Sequence, residues 1–319
     1  MAINKTAPLP SSTSKLTPDS TLVQVLAMSV NPADYKFVEL PLVGRFLVNT
    51  PATPGMDYCG RVVSTGSALA ANLKPGQLVF GRLDSPTQFG TLAEYTVTPK
   101  VGTLPVPQGV KPEDAASIST AGMAAYQCIV PNVKSSDNVF INGGSGGTGV
   151  FGVQIAKALG CHVTTSCSTA NVKLCKELGA EEVLDYKVGD ITKQLEVIGE
   201  KFDLVVDNIG TPANLYYQSH HFLKPKGKFV QVGAPMSVGG AAALVSKRTL
   251  PAFLGGGQRR YEFLACQSKA EDFRQLATWM QEGKLKAVTE VFPFEDAVTA
   301  YEKSRSGRAK GKIVVRVSE

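Results

Sequence analysis

The sequence predicts an α/β protein in two parts, a β-rich N-terminal part followed by a doubly wound parallel sheet. Three observations predict it. Short alternating segments broken by Gly and Pro turns fill the N-terminal third. From about Val133 onward, strand-like apolar runs alternate with helical ones. Between the first such strand and helix lies the glycine cluster "GGSGGTG", Gly143–Gly149.

Each element follows from its local pattern. "TLVQVLAMSV" alternates into a strand, "YCGRVVSTG" is another, and "KPGQLVFG" is a Pro-Gly turn running into a third. "AEYTVTP" and "GTLPVP" continue the series at about 8–12-residue spacing, which suggests a barrel or partly open sheet. "KPEDAASISTAGMAAYQCIV" changes period, with Pro and acids early and Ala afterwards marking a helix start. The strand "NVFING" then leads into the glycines and the helix "GTGVFGVQIAKALG". "HVTTSC" is a strand, "TANVKLCKELG" a helix, "EEVLDY" a short strand and "DITKQLEVIGE" a helix. "FDLVVDNIG" suits a central parallel strand, and "GKFVQVG" is one more. "KAEDFRQLATWMQEGKL" and "FEDAVTAYEKSRSG" read as helices, and "KGKIVVRV" closes as a strand returning to the first sheet.

Composition narrows the function classes. The 319 residues are 43% hydrophobic, a globular composition, and at about 100–200 residues per domain they suggest two domains. The net charge of +6 is scattered. Its densest run, "KSRSGRAKGK", has no interleaved aromatics and reads as a solvated turn, so no nucleic-acid partner is expected. There is no run of 18 apolar residues, so no membrane span is expected, and the N-terminus lacks a secretory pattern, so a cytoplasmic location is expected. The six cysteines show no CxxC pairing and are read as reduced thiols.

Gly144, Gly146 and Gly149 form G-x-G-x-x-G, following a strand and opening a helix at the head of a βαβ series. That context identifies the Rossmann dinucleotide fingerprint. The backbone turns tightly, lets a pyrophosphate approach, and offers it a helix N-terminus. A NAD site would add Asp or Glu about 20 residues on, to hold the ribose hydroxyls. Here "VTTSCSTANVK" has no acid between His162 and Lys173, and it offers Ser166, Ser168, Thr169 and the Lys173 cation. NADPH is therefore expected over NADH.

The motifs together form a family pattern. "NPADYK", "PGMDYCGRVVSTG", "ASISTAGMAAY", "INGGSGGTGVFGVQIAKALG", "CSTANVKLCKELGAEEVLDY" and "GKIVVRV" occur in that order. The chain resembles the zinc-free quinone oxidoreductase and enoyl reductase branch of the medium-chain dehydrogenase/reductase superfamily. The resemblance implies a GroES-like catalytic domain, residues 1–124 completed by about 264–319, and a Rossmann domain over 125–263. Zinc members carry Gly-His-Glu where this chain has Gly55-Met56-Asp57. The three histidines, His162, His220 and His221, lie far in sequence from Asp57 and Cys59, so no metal is expected.

Without a Lewis acid, the expected acceptor is already electrophilic: a quinone, or the C=C bond of an α,β-unsaturated carbonyl compound. The resemblance places Asn31, Lys36 and Thr120 beside the nicotinamide. Tyr35 is a candidate proton donor or a core residue. For the cofactor it implies Gly144, Ser145, Gly146, Gly147 and Thr148 at the pyrophosphate. Ser168 and Lys173 would meet the 2′-phosphate, with Tyr186 near the adenosine phosphate, Asn208 near the ribose, and Val232 and Gly233 at the carboxamide. Gly239–Phe263 would form an edge strand or a wall of the substrate cleft. Two alternatives stay open: a trans-acting enoyl reductase working on carrier-bound substrate, and a non-catalytic NADPH-binding protein. Monomer and homodimer are equally compatible with the sequence.

Overall fold

The computed structural model describes Asn4 and residues 16–36, 38–39, 44, 48–233 and 238–318. Ala234 and Pro235 of "QVGAP" and most of residues 1–15 lie outside them. In chain order the elements are β1 (Ser20–Ser29), α1 (Ala33–Lys36), β2 (Asp57–Thr65), β3 (Leu78–Arg82), β4 (Tyr95–Pro99), β5 (Thr103–Pro105) and α2 (Pro112–Ile129). Then come β6 (Asn138–Asn142), α3 (Gly147–Ala158), β7 (His162–Cys167), α4 (Val172–Glu177), β8 (Glu182–Asp185), α5 (Ile191–Ile198), β9 (Phe202–Asp207) and β10 (Leu223–Gln231). The chain continues through α6 (Val238–Thr249), β11 (Arg260–Phe263), α7 (Ala270–Gln281), β12 (Thr289–Pro293), α8 (Ala297–Arg305) and β13 (Lys312–Arg316).

Two compact units result, Met1–Met123 with Gln267–Glu319, and Ala124–Cys266. The first holds a seven-stranded sheet in the order β12-β13-β1-β2-β3-β5, with β4 paired to β1. β1 is buried along almost its whole length because neighbours cover it on both sides. Its end is in register with the start of β2, Ser29 opposite Asp57, and with Val314 of β13. That register brings "NPADYK", "GMDY" and the C-terminal "GKIVV" together. Val23, Val25, Tyr58, Val79, Tyr301 and Val315 form the core beneath.

The second unit is a six-stranded parallel sheet, β11-β10-β9-β6-β7-β8. Its central strands carry apolar middles because helices cover both faces, with polar residues at their ends, and Phe140, Phe202, Val205, Phe222 and Phe229 are its fully buried centre. Asp190 caps α5, accepting from the Lys193 amide at 3.0 Å. The reversal of strand order between β6 and β9 creates the crevice that such sheets use for ligands.

Three segments differ from the sequence reading. "TANVKLCKELG" splits into a 3₁₀ turn at Thr169–Asn171 and the short α4. β12 is an additional edge strand, half-exposed and closed by Pro293, with too few residues to show a period. The Gly239–Phe263 segment does supply an edge strand, but only over Arg260–Phe263; most of it is the Ala-rich helix α6. Among the described residues no helix is long and apolar enough to cross a membrane.

Candidate active site

The carboxyl edge of the parallel sheet carries one hydrogen-bonded row across four strands, β7, β6, β9 and β10. Gly143 (φ +82°) makes the left-handed turn after β6 that glycine tolerates best. Its amide donates to the Ser166 hydroxyl (2.9 Å), which donates to Asn142 Oδ1 (2.7 Å). Asn142 Nδ2 donates to Asp207 Oδ1 (2.8 Å), which also accepts from the Ile209 and Gly210 amides (3.1 and 2.9 Å). Burial pushes the Asp207 carboxyl up, and these donors oppose the shift. The Asp207 carbonyl then accepts from the Val232 and Gly233 amides.

The fingerprint glycines divide their roles. A Cβ on Gly144 would stand 2.0 Å from Thr165 Oγ1, and one on Gly149 would stand 2.1 Å from the Gly143 carbonyl, so packing forbids both. A Cβ on Gly146 would meet only the Gly143 carbonyl, at 3.5 Å, an ordinary contact. Packing therefore leaves Gly146 free to be any small residue, and the open space in front of it is what a pyrophosphate needs. α3 begins there with no side-chain cap, and the amides of Ser145, Gly147 and Thr148 have no partner among the described residues. Residues 145–148 are half-buried, reachable yet held.

Beyond β7, Asn171 Nδ2 donates to the Ser145 and Ser168 hydroxyls (3.1 and 3.3 Å), tying the glycine loop to the next turn. Hydrogen bonds from Thr169, then from the Lys187 amide, hold the Asp185 carboxyl below its ordinary range. Lys173 is exposed over 90% of its side chain, with only a loose 3.8 Å pair to Glu177. Tyr186 is half-exposed directly after β8, with the Lys187 ammonium over its ring. Both polar atoms of the Asn208 side chain are buried without a partner. An orphaned buried amide is costly unless a ligand answers it. The edge therefore has the room, the free donors and the unanswered amide that a dinucleotide requires. Ser166, expected among the cofactor contacts, is buried and its hydroxyl proton goes to Asn142, so it braces the loop and has no proton to give a ribose.

In the first unit, the "NPADYK" residues meet Asp57. Asp57 Oδ2 accepts from Ser29 Oγ and Asn31 Nδ2, both at 2.8 Å, and Oδ1 accepts from the Thr120 hydroxyl (2.5 Å) and amide (3.1 Å). The buried Lys312 ammonium donates to Asn31 Oδ1 (2.6 Å) and the Val30 carbonyl (3.1 Å), and lies 3.8 Å from Asp57. Asp34 Oδ2 accepts from the Asn31 amide (2.8 Å) and Tyr301 (3.3 Å), while its Oδ1 is buried without a partner. Burial, with the Asp57 charge adding to it, raises Asp34 to about 7 against the opposing Asn31 amide, Lys312 and Tyr301. Burial lowers Lys312, and the two carboxylates resist the shift.

This network corrects three expected catalytic assignments. Asn31 is 4% exposed and both its amide protons are spent, on the Ser29 carbonyl and Asp57, so it positions neighbours and touches no substrate. The single Thr120 proton is spent on Asp57, so toward a ligand this half-buried hydroxyl can only accept. Tyr35 is core: its ring packs edge-on against Tyr301 at 6.3 Å beneath the Arg305 guanidinium, and among the described residues its hydroxyl reaches only Ser304, at 3.4 Å. Lys36 is half-buried and makes no ion pair among the described residues. Sequence reading missed Lys312, Asp34, Asn171 and Asn142, because polar residues inside apolar strands or short turns show no period.

Among the described residues no three His, Cys, Asp or Glu side chains could hold a metal ion together. The Asp57 carboxylate is committed to four donors, and burial pushes the Cys59 thiol far up.

A β-rich unit joined to a Rossmann unit with this loop defines a two-domain, nicotinamide-dependent oxidoreductase. Residues 17–108 match the alcohol dehydrogenase GroES-like domain, and residues 178–315 match the family described as zinc-binding dehydrogenase. The chain is 51% identical over 329 residues to the trans-enoyl reductase pgmF of Aspergillus terreus, covering all of this chain and 92% of that one. It is 32% identical over 299 residues to a chloroplast envelope quinone oxidoreductase homolog of Arabidopsis thaliana, covering 91% and 87% of the two chains. The solved quinone oxidoreductase of Coxiella burnetii superposes with a TM-score of 0.82 at 30% identity, covering 98% and 93%. The chain belongs to the medium-chain dehydrogenase/reductase superfamily, in its zinc-free quinone oxidoreductase and enoyl reductase branch. Members of this family bind NAD(P)H.

Proposed function

We propose that the chain is an NADPH-dependent reductase that delivers hydride to the C=C bond of an α,β-unsaturated carbonyl compound, with quinones as the second acceptor class. The observation that carries the reading is the glycine loop, where Gly146 opens onto amides with no partner among the described residues, although packing does not require a glycine there. Ser145, Gly146, Gly147 and Thr148 would hold the pyrophosphate, and Ser168, Lys173 and Tyr186 the adenosine end with its 2′-phosphate. Asn208, Val232 and Gly233 would hold the nicotinamide end. When bound, the reduced nicotinamide supplies the hydride.

The protein's own part is to orient the acceptor, exclude water and stabilise the oxygen on which negative charge develops. Lys36 is the available cation for that oxygen. Thr120 contributes an acceptor and Asn31 holds Asp57 in place. The 51% relative, a trans-enoyl reductase, supports an enoyl substrate; the second form of the reading, an enoyl group presented by a separate carrier, stays open beside it. A cytoplasmic enzyme, monomeric or homodimeric, fits both forms.

The test is loss of reduced-nicotinamide absorbance with a quinone, a medium-chain enone, a 2-alkenal and an enoyl thioester, using NADPH and NADH in turn. Turnover of the enone or thioester with NADPH supports the reading. NADPH binding with no turnover of any free acceptor points to the carrier-bound form. Equal turnover with NADH refutes the cofactor assignment.

A further inference from the structure

A lysine is buried at the carboxyl edge of the parallel sheet with no carboxylate in ion-pair contact among the described residues; Asp207 acts on it only through its charge, from beyond contact distance. Lys247, in the last turn of α6, is 8% exposed and makes no ion pair among the described residues. Its ammonium donates to Gln231 Oε1 at 2.9 Å and lies over the Tyr261 ring at 5.9 Å. Taking an ammonium out of water costs several kcal/mol in general, and a leucine or methionine would fill this helix position without that cost.

What the ammonium does is fix an amide. Gln231 ends β10, and its Oε1 accepts from both Lys247 and the Tyr261 hydroxyl (2.9 Å). Its Nε2 consequently points the other way and donates to the Gly233 carbonyl at 2.7 Å. The two donors are not equivalent. A tyrosine hydroxyl could rotate and accept from a flipped amide, whereas an ammonium has only protons to offer. Of the two donors, only Lys247 opposes the flip, and the Gly233 carbonyl, which can only accept, opposes it from the other side. The Val232 and Gly233 amides are already committed to the Asp207 carbonyl. With the Gly233 carbonyl held by Gln231, the Val232 carbonyl is the one backbone polar group of Val232 and Gly233 with no partner among the described residues. The turn also packs against Asn208, since a Cβ on Gly233 would stand 2.2 Å from the Asn208 carbonyl.

We propose that Lys247 is a positioning residue for the nicotinamide end of the cofactor, acting through Gln231 to hold the Val232–Gly233 turn in its binding conformation. The proposal rests on the NADPH reading above and concerns binding, so it can be separated from catalysis. The probes are NADPH and adenosine 2′,5′-bisphosphate, which shares the adenosine end and lacks the nicotinamide. Affinities are measured by titration calorimetry on the whole chain, with thermal unfolding as a check on the fold.

For Lys247→Met, NADPH should bind roughly tenfold more weakly while the bisphosphate binds unchanged, about 1.4 kcal/mol confined to one end of the ligand. Gln231→Glu keeps a partner for Lys247 but sets an oxygen against the Gly233 carbonyl, so it should show the same selective loss. Tyr261→Phe should leave the affinity ratio within about twofold, because the ammonium still orients the amide. An unmoved ratio in both Lys247→Met and Gln231→Glu overturns the proposal, and either variant answers alone if the other fails to fold. Wild-type protein that binds neither probe overturns the cofactor reading, and the proposal with it.

Discussion

Thr120 gives both its hydroxyl proton and its backbone amide to one oxygen of Asp57. The pair ties α2 to β2, and the other Asp57 oxygen ties β2 to β1 through Ser29 and Asn31. Asp57→Asn would replace one of these acceptors with a donor that faces donors, and would leave the Lys312 ammonium buried. We expect a loss of about 3–5 kcal/mol in urea unfolding. Thr120→Val removes one donor and should cost about 1–3 kcal/mol. If Asp57→Asn proves no more costly than Thr120→Val, the carboxylate is not the hub described here.

Asp34 makes stability depend on pH in an unusual direction for an acid. Its folded-state value is raised from 3.8 to about 7, so the folded protein holds this proton more tightly than the unfolded chain does. The stabilisation is complete below 3.8 and is lost as pH rises through about 7. Lys312, Asp57 and Tyr301 face the same carboxyl, so the comparison must be made against Asp34→Asn, which leaves them in place. The stability of wild type relative to Asp34→Asn should fall from pH 5 to pH 8, as read from urea midpoints at each pH. A flat difference would mean that Asp34 is ionised throughout.

The glycines of the loop should separate fold from function. At Gly149 an added Cβ would lie 2.1 Å from the Gly143 carbonyl and 2.7 Å from the Gly144 Cα, both backbone atoms that cannot yield. Gly149→Ala should therefore lower the melting temperature by several degrees, since about 1 kcal/mol shifts it by roughly 2–4 °C at this size. Gly146 has φ −82° and room for a methyl group, so Gly146→Ala should melt within about 0.5 kcal/mol of wild type. Its NADPH affinity should nevertheless drop at least about tenfold, because the methyl fills the space left for the pyrophosphate. Unchanged affinity would place the ligand elsewhere.

The chemistry of "NPADYK" can be tested at two adjacent residues. Tyr35 is packed in the core, and among the described residues its hydroxyl reaches only Ser304, at 3.4 Å. Tyr35→Phe should keep kcat within about twofold, the loss of one weak hydrogen bond away from the reacting atoms. Lys36 is half-buried and unpaired among the described residues. Lys36→Met should lower kcat with an enone by roughly 100-fold, the scale of losing a donor to a developing oxyanion. The reverse ranking would return the proton-donor role to Tyr35.

The legible part of this protein is the part with a period or a motif. β1, β2 and β3 alternate or run apolar, and G-x-G-x-x-G stands between a strand and a helix, so sheet, loop and cofactor class follow from local pattern. Side-chain commitments are another matter. Asn31 and Thr120 are polar residues in motif positions, which in sequence looks like availability; only the register of Ser29 with Asp57 shows their protons to be spent. Lys312 reads as one more charge at the start of a strand, and its burial depends on partners more than 250 residues away in sequence. Lys247 and Asn171 sit in segments with no diagnostic spacing. Their partners on β10 and in the glycine loop are set by the tertiary fold alone.

In the reading proposed above, the choice between NADPH and NADH turns on a surface lysine that does nothing visible for the fold. The Lys173 side chain is 90% exposed, and its pair with Glu177 at 3.8 Å is the kind of surface contact that contributes little. Ser168 beside it is held by Asn171, and Tyr186 presents an open ring at the end of the next strand. The turn contains no acid to repel a phosphate, and Asp185 is occupied by Thr169 and the Lys187 amide. Lys173→Glu should leave the melting temperature unchanged and lower the NADPH-to-NADH ratio of kcat/KM by roughly 10–100-fold, the worth of one or two charge-assisted hydrogen bonds. The loss should shrink as salt is raised, because the site is open to solvent. Retention of the full NADPH preference in Lys173→Glu would assign phosphate recognition to other residues, and Ser168→Ala and Tyr186→Ala would then have to account for all of it.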